Sequence, residues 1–139
     1  MKKSFEFLIL TLSLLFIFTS CDHSILDGDW DPMKWHSNQA WNEKNKTFDV
    51  PADGGFYSIL CTNYSSFWIT SVKVNNEDHY LMGTDIQKEF DNVDCTASIY
   101  NALLSVQIKP NISGQPKKIV VYVEAGESFS FIAFNQIAN

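Results

Sequence analysis

Arginine is absent from this 139-residue sequence, and all ten of its basic side chains are lysines. Sixteen acidic side chains outnumber them, which gives a formal net charge of −6 at pH 7. Nucleic-acid-binding proteins neutralise phosphates with a clustered basic surface, so this composition excludes nucleic acid as a partner. Hydrophobic residues form 45% of the chain, which excludes a wholly disordered protein.

Motifs of common catalytic centres are also missing. The sequence has neither the Gly-x-Ser-x-Gly segment of serine hydrolases nor the His-Glu-x-x-His segment of zinc proteases. Its three histidines, His23, His36 and His79, lack the spacing of metal ligands. The acidic residues form no pair whose separation the sequence can fix for glycoside hydrolysis. We therefore predict a protein that is not an enzyme and holds no metal or cofactor.

An apolar run over residues 7–18 is about half as long as the ~20 residues that a membrane-spanning helix needs. Lys2 and Lys3 precede the run, and small residues follow it up to Ser20. This order is typical of a secretory signal peptide, which we place at residues 1–20. Its removal leaves 8 lysines and 15 acidic side chains, so the mature chain is slightly more acidic.

The segment Phe18-Thr19-Ser20-Cys21 resembles the lipobox of bacterial lipoproteins, a family that usually has Leu where Phe18 stands. In that family the cysteine is acylated on its thiol, exposed by cleavage and acylated again on its amine. The resemblance implies a lipid anchor on Cys21 and a place in the cell envelope, at the outer membrane. Several acyl chains anchor a protein stably, whereas one is marginal. The alternative is an ordinary signal peptide with an unmodified Cys21.

If Cys21 carries lipid, the remaining cysteines are an even pair, Cys61 and Cys95. An oxidising cell envelope permits a disulfide between them, worth roughly 3–4 kcal/mol for a loop of this length. The alternative is two buried thiols that pack as small hydrophobic side chains. The sequence leaves both open, because it does not fix the geometry that a disulfide requires.

Residues 21–45 are acidic at first and then rich in tryptophan, and we interpret them as a tether and leading segment. From residue 46 onward, short segments of alternating hydrophobicity are separated by turns, which indicates an antiparallel β-sandwich. Strands are predicted at residues 46–50, 56–62, 66–74 with a shift near its middle, 104–109, 119–124 and 128–135. The best helical candidate is one or two turns at residues 85–90. The predicted class is all-β.

Several short motifs follow one another in a characteristic order. They are Val50-Pro51-Ala52-Asp53-Gly54-Gly55, Asn63, Trp68, Leu104-x-Val106-x-Ile108-x-Pro110-Asn111, Gly114, Ile119–Val123, Gly126 and Phe134-Asn135-Gln136. This order resembles the BACON domain, a small immunoglobulin-like β-sandwich of Bacteroidetes envelope proteins. The resemblance implies an immunoglobulin-like antiparallel β-sandwich over residues 46–139, with Trp68 in its core. Residues 75–100 depart from the family because they are longer and more polar.

The resemblance implies association with glycans, either by direct binding or through a protein partner. A structural spacer or assembly subunit of an envelope complex, without direct sugar binding, is the alternative. Trp30, Trp35 and Trp41 lie within twelve residues and could form an aromatic platform for sugar rings. The competing interpretation, favoured for at least two of them, is that they fasten the leading segment onto the sandwich. Tyr64 and Phe67 are further candidate exposed aromatics for glycan contact.

Overall fold

The computed structural model describes residues 30–81 and 86–139. The predicted signal peptide at 1–20, the predicted lipid anchor Cys21 and the first part of the tether lie outside the described residues. The described part of the chain forms ten strands and no helix. In chain order they are β1 (Trp35–His36), β2 (Thr47–Val50), β3 (Gly55–Cys61), β4 (Trp68–Val74), β5 (Glu77–Tyr80), β6 (Glu89–Asp91), β7 (Cys95–Tyr100), β8 (Leu103–Ile108), β9 (Lys117–Ala125) and β10 (Ser128–Gln136). Within these residues, nothing forms an apolar helix of membrane-spanning length.

The strands form two five-stranded sheets. The first sheet has the order β1-β3-β8-β7-β6, and the second sheet has the order β2-β10-β9-β4-β5. Immunoglobulin domains place strands A, B, E and D in one sheet and G, F and C in the other. The two sheets here contain the same arrangement. Strands A, B, E and D correspond to β1, β3, β8 and β7, and strands G, F and C correspond to β10, β9 and β4. The predicted immunoglobulin-like all-β sandwich is confirmed.

One strand pair departs from the antiparallel prediction. β2 pairs in parallel with β10, with Phe48 beside Phe134, whereas the other pairs are antiparallel. After β1 at the edge of the first sheet, the chain crosses to the second sheet. There β2 runs in the same direction as β10.

The core lies between the sheets because successive side chains along a strand point to opposite faces, and the inward-facing set of each long strand is mainly apolar. Phe48 of β2 stacks on Phe134 of β10 with ring centroids 5.5 Å apart. Tyr57 of β3 packs on Phe48 at 5.0 Å, so the cluster spans both sheets. Burying an aromatic side chain of this size contributes roughly 2–3 kcal/mol relative to leaving it exposed.

All six predicted strands are present, with ends that differ by a residue or two. The shift predicted within residues 66–74 is a register irregularity between Ile69 and Ser71. The turn predicted after Val50 holds Gly54 at φ 81°, where a Cβ atom would lie 2.1 Å from the carbonyl oxygen of Ile108. The helical turns predicted at 85–90 are wrong from residue 86 onward, because the chain there leads into β6.

Of the two alternatives left open for Cys61 and Cys95, the structure has the second, since both thiols are free and buried and no disulfide joins them. β8 lies between their strands, and its Ile108 pairs with Cys95 on one side and with Gly55 on the other. Cys61 is six residues further along β3, which is roughly 20 Å of strand, whereas a disulfide needs Cα atoms within about 7 Å. Burial, followed by the charge of Asp94, raises the pKa of the Cys95 thiol to about 12.

Candidate functional site

Trp35 fastens the leading segment across the open edge of the sandwich. Its ring packs edge-on against Phe67, with centroids 5.3 Å apart and planes at 90°. Its Nε1 donates a hydrogen bond to Ser130 Oγ at 3.0 Å. Because Trp35 belongs to the first sheet and Ser130 to the second, this contact joins the two sheets. Trp35 is therefore a packing residue.

Trp41 has the same kind of role. Its ring stacks on the core residue Phe48, with centroids 5.2 Å apart and planes within 19°. Trp35 and Trp41 are both half-buried, as expected for the interpretation in which at least two of the three tryptophans fasten the leading segment. The placement of Phe67 among exposed aromatics is wrong: it is fully buried, because its ring lies under Trp35.

Trp30 is exposed and Tyr64 is half-buried, and the fold brings the two candidates together. Their rings stack with centroids 6.2 Å apart and planes within 19°, and Tyr64 Oη donates a hydrogen bond to the carbonyl oxygen of Asp31 at 2.6 Å. Trp30 lies against Gly126 in the β9–β10 turn, where a Cβ atom would be 2.5 Å from its ring. This pair therefore sits at one end of the sandwich.

A larger group of aromatic side chains covers the outer surface of the second sheet. Strand register places them in two neighbouring rows across β10, β9, β4 and β5. The rows are Phe129–Glu124–Trp68 and Phe131–Tyr122–Ser71–Tyr80. We call the five aromatic residues Trp68, Tyr80, Tyr122, Phe129 and Phe131 the aromatic face. The rings of Tyr122 and Phe131 contact each other, with centroids 6.2 Å apart.

Alternation along the strands explains why these rings point outward. In β10, Phe129 and Phe131 alternate with the buried residues Ser130 and Ile132, and they are 71% and 38% exposed. The core role predicted for Trp68 is wrong, because its register partner is the outward-facing Glu124 and it is only half-buried.

A groove of about 610 Å³ adjoins the aromatic face. Tyr122 and Phe131 form one side of it, and the neighbouring cross-strand pair of Val120 in β9 and Ala133 in β10 also lines it. Its polar lining consists of Lys44, Asn45, Thr47, Lys118 and Asn135. The Lys46 ammonium group stands 5.4 Å from the centroid of the Phe131 ring, within the range of a cation–π contact. The site therefore combines flat apolar rings with amide, hydroxyl and ammonium groups.

The outer surface of the first sheet is different. Ser58, Ser105 and Ser98 lie side by side across β3, β8 and β7, and we call this surface the serine face. A smaller groove of about 300 Å³ opens at its edge, lined in part by His36 and Leu60. Over residues 30–81 and 86–139, no group of three or more His, Cys, Asp or Glu side chains could hold a metal ion.

Sequence reasoning placed the candidate site on the leading segment and missed the aromatic face. The available signal was the presence of aromatic side chains at both odd and even positions of β10, namely Phe129 and Phe131 against Phe134. In an alternating strand, one of the two sets has to face away from the core.

Comparisons with known proteins were made for sequence and for structure. No protein-family model and no curated protein matches the chain. Among solved structures, it is similar to one described as the NMR structure of the protein from Bacteroides thetaiotaomicron. The two share 37% sequence identity with a TM-score of 0.68, over 84% of this chain and 95% of that chain. At this identity and coverage, the chain belongs to the same family as that Bacteroides thetaiotaomicron protein.

Proposed function

We propose that the protein is a non-catalytic lipoprotein of the cell envelope that binds glycan chains on its aromatic face. The observation that carries the proposal is the row of aromatic side chains beside a groove with polar lining. Sugar rings present C–H faces that pack on aromatic rings, and their hydroxyl groups need hydrogen-bonding partners at the edge of the platform. Tyr122 and Phe131 supply the rings, while Asn45 and Asn135 supply amide groups.

Exposure of these rings supports a binding role over a purely structural one. Large side chains on the outer surface of a sheet gain little from folding, and sizeable apolar patches on soluble domains commonly mark interaction sites. Phe129 and Tyr80 are 71% and 67% exposed, so their burial is left to a partner. The resemblance to BACON domains agrees with a glycan as that partner.

The proposed membrane attachment runs through Cys21. Nine residues separate Cys21 from Trp30, and a chain of that length spans at most roughly 30 Å. The end of the sandwich that carries Trp30 and Tyr64 would then lie nearest the membrane. The aromatic face would be turned sideways, where a polysaccharide has access to it.

A protein partner on the same surface is the second candidate function, in which the domain is a spacer or assembly subunit of an envelope complex. The high exposure of Phe129 favours it, because this ring lies beyond the polar groups that line the groove. The two functions share a surface and differ in the partner that covers it.

Tyr122→Ala in the full-length protein tests the proposal. Its matched control is Tyr100→Ala, since Tyr100 is 79% exposed at the end of β7, in the first sheet. In a panel of soluble polysaccharides followed by tryptophan fluorescence, we expect Tyr122→Ala to weaken binding at least about tenfold, the scale of a lost aromatic contact. Tyr100→Ala should bind like wild type.

Two outcomes would overturn glycan binding on this face. Equal weakening by both variants would place the site elsewhere on the molecule. Failure of the wild-type protein to bind any polysaccharide, together with retention of an envelope protein that Tyr122→Ala loses, would establish the assembly role.

A further inference from the structure

Lysine side chains gather around the groove. Lys44 and Lys118 line it from opposite sides of the β2–β10–β9 segment, and Lys46 stands over Phe131. Its lining residues include no carboxylate. The groove is therefore locally cationic on a chain whose net charge is −6.

The groove lysines have no carboxylate partner among the described residues, in contrast to three lysines elsewhere. Three ion pairs occupy lysines elsewhere in the described residues: Lys73–Asp78, Lys109–Asp91 and Lys117–Asp94. Within residues 30–81 and 86–139, neither Lys44 nor Lys118 forms an ion pair with a carboxylate. Lys46 Nζ donates a hydrogen bond to Ser130 Oγ at 3.0 Å, so its charge is also left uncompensated there.

Asp49 and Glu124 share this surface with the lysines, and neither lines the groove. Asp49 pairs with Asn135, and Asn135 pairs with Lys118, so Asp49 and Lys118 are two strands apart in one row. Two strand spacings are roughly 10 Å, about one Debye length at physiological ionic strength. Asp49 therefore leaves the charge of Lys118 available to a ligand.

We infer that the groove selects glycans that carry carboxylate or sulfate groups, an inference that rests on the proposed function. Tyr122 and Phe131 stack on the sugar ring, while the ammonium groups of Lys44 and Lys118 donate hydrogen bonds to the anionic substituent. An ammonium group offers three donors on a flexible stem, so it accepts either anion without a fixed geometry. Acidic side chains elsewhere on the chain repel polyanions, which favours the groove as the place that holds them.

Two pairs of polymers test the inference, because each pair differs mainly in charge. They are polygalacturonate with its fully methyl-esterified form, and dextran sulfate with dextran. Binding of the full-length protein in detergent micelles is measured at 20 and 300 mM NaCl. We expect wild type to bind at least one acidic polymer about tenfold more tightly than its neutral counterpart at low salt. The preference should shrink at high salt, where exposed charges are screened.

Lys44→Gln/Lys118→Gln is the decisive variant, and Lys34→Gln/Lys88→Gln is its matched control. Both remove two positive charges, and Lys34 and Lys88 lie outside the groove lining. We expect the first variant to lose the preference for the acidic polymer and to keep its affinity for the neutral one. The control should keep both. Equal loss in the two variants would assign the effect to net charge and overturn the inference.

The same measurements separate this inference from the proposed function. Equal binding of the acidic and neutral polymer of a pair leaves glycan binding in place and overturns the selection by charge. If none of the four polymers binds, while the wider panel shows binding to neutral glycans alone, the inference again fails. No binding to any glycan removes the proposed function and the inference together.

Discussion

Ser58, Ser105 and Ser98 line up across the outer surface of the first sheet, whereas the corresponding surface of the second sheet carries Trp68, Tyr122 and Phe131. The serine face has exposed apolar side chains as well, in an end row formed by Leu60, Leu103 and Tyr100 and at Phe56 in another row. Folding requires apolar side chains only on the inner surfaces, where both sheets have them.

The outer surfaces are free to differ because their side chains contribute little to the stability of the sandwich. Small hydroxyl side chains are the ordinary choice for a surface that only has to remain in water. Aromatic rings in the same situation cost solubility and are retained where a partner covers them. The difference between the two faces therefore supports the proposal that the aromatic face is the interaction surface.

The largest expected effect on the free energy of unfolding is a difference between inward-facing and outward-facing residues of strand β10. Phe134→Ala should lower the free energy of unfolding by about 4 kcal/mol, because Phe134 is fully buried and stacks on Phe48. Phe129→Ala, in the same strand, should change it by less than about 0.5 kcal/mol, because Phe129 is 71% exposed. Urea unfolding of both variants measures the difference. Similar losses would mean that the aromatic face is part of the core.

An intermediate effect is expected where the two sheets are joined. Lys117 at the start of β9 pairs with Asp94, which precedes β7, and their side chains are 15% and 17% exposed. Asp94→Asn should cost about 2 kcal/mol of unfolding free energy, because it leaves a partly buried ammonium group without its partner. The control Asp91→Asn breaks the Lys109 pair, whose carboxylate is 70% exposed, and should cost less than about 0.5 kcal/mol. Equal costs in urea unfolding would contradict a buried link between the sheets.

The smallest expected effect concerns the inner surface of the first sheet. The folded protein keeps the Cys95 thiol protonated up to a pKa of about 12, against an ordinary value of 9.0. The unfolded chain loses this proton first, so stability is fully present below pH 9 and falls as pH rises towards 12. At pH 10 the loss is about 1.4 kcal/mol. Cys95→Ala should show a shallower decline of melting temperature between pH 9 and 11 and the wild-type dependence between pH 6 and 8. If Cys95→Ala declined as steeply as wild type between pH 9 and 11, the Cys95 thiol would not be the cause of the loss of stability.

Much of the fold follows from the sequence because the pattern of residues in most long strands shows which side chains face the core. In β9, Ile119, Val121 and Val123 face the core as predicted, and the residues between them, among them Tyr122, face outward. The strands β1, β5, β6 and β7 escaped prediction. β1, β5 and β6 are short edge strands, and β7 lies within the polar segment 75–100. Their formation depends on backbone hydrogen bonds to a neighbouring strand, which a local pattern does not contain.

The site was harder to predict than the fold. Trp30, Trp35 and Trp41 are close in sequence. In the fold, Trp35 and Trp41 pack at the edge of the core, whereas Trp30 packs against the β9–β10 turn. The aromatic face draws on strands whose residues lie up to 63 positions apart, from Trp68 to Phe131. Only strand order and register bring them together. Register also decides the state of the cysteines. Their order in the sequence permits a disulfide, but strand register keeps Cys61 and Cys95 apart.

The parallel pairing of β2 with β10 affects how the domain responds to pulling. Four residue pairs, from Thr47–Ala133 to Val50–Gln136, join the two strands side by side in the same direction. A force that draws the amino-terminal end of β2 away from the carboxyl-terminal end of β10 slides the strands along each other. The hydrogen bonds of the ladder then share the load and break together, whereas in a peeling geometry they would break one by one. A pull applied between the start of β2 and the carboxyl-terminal end of β10 therefore loads these four residue pairs in shear.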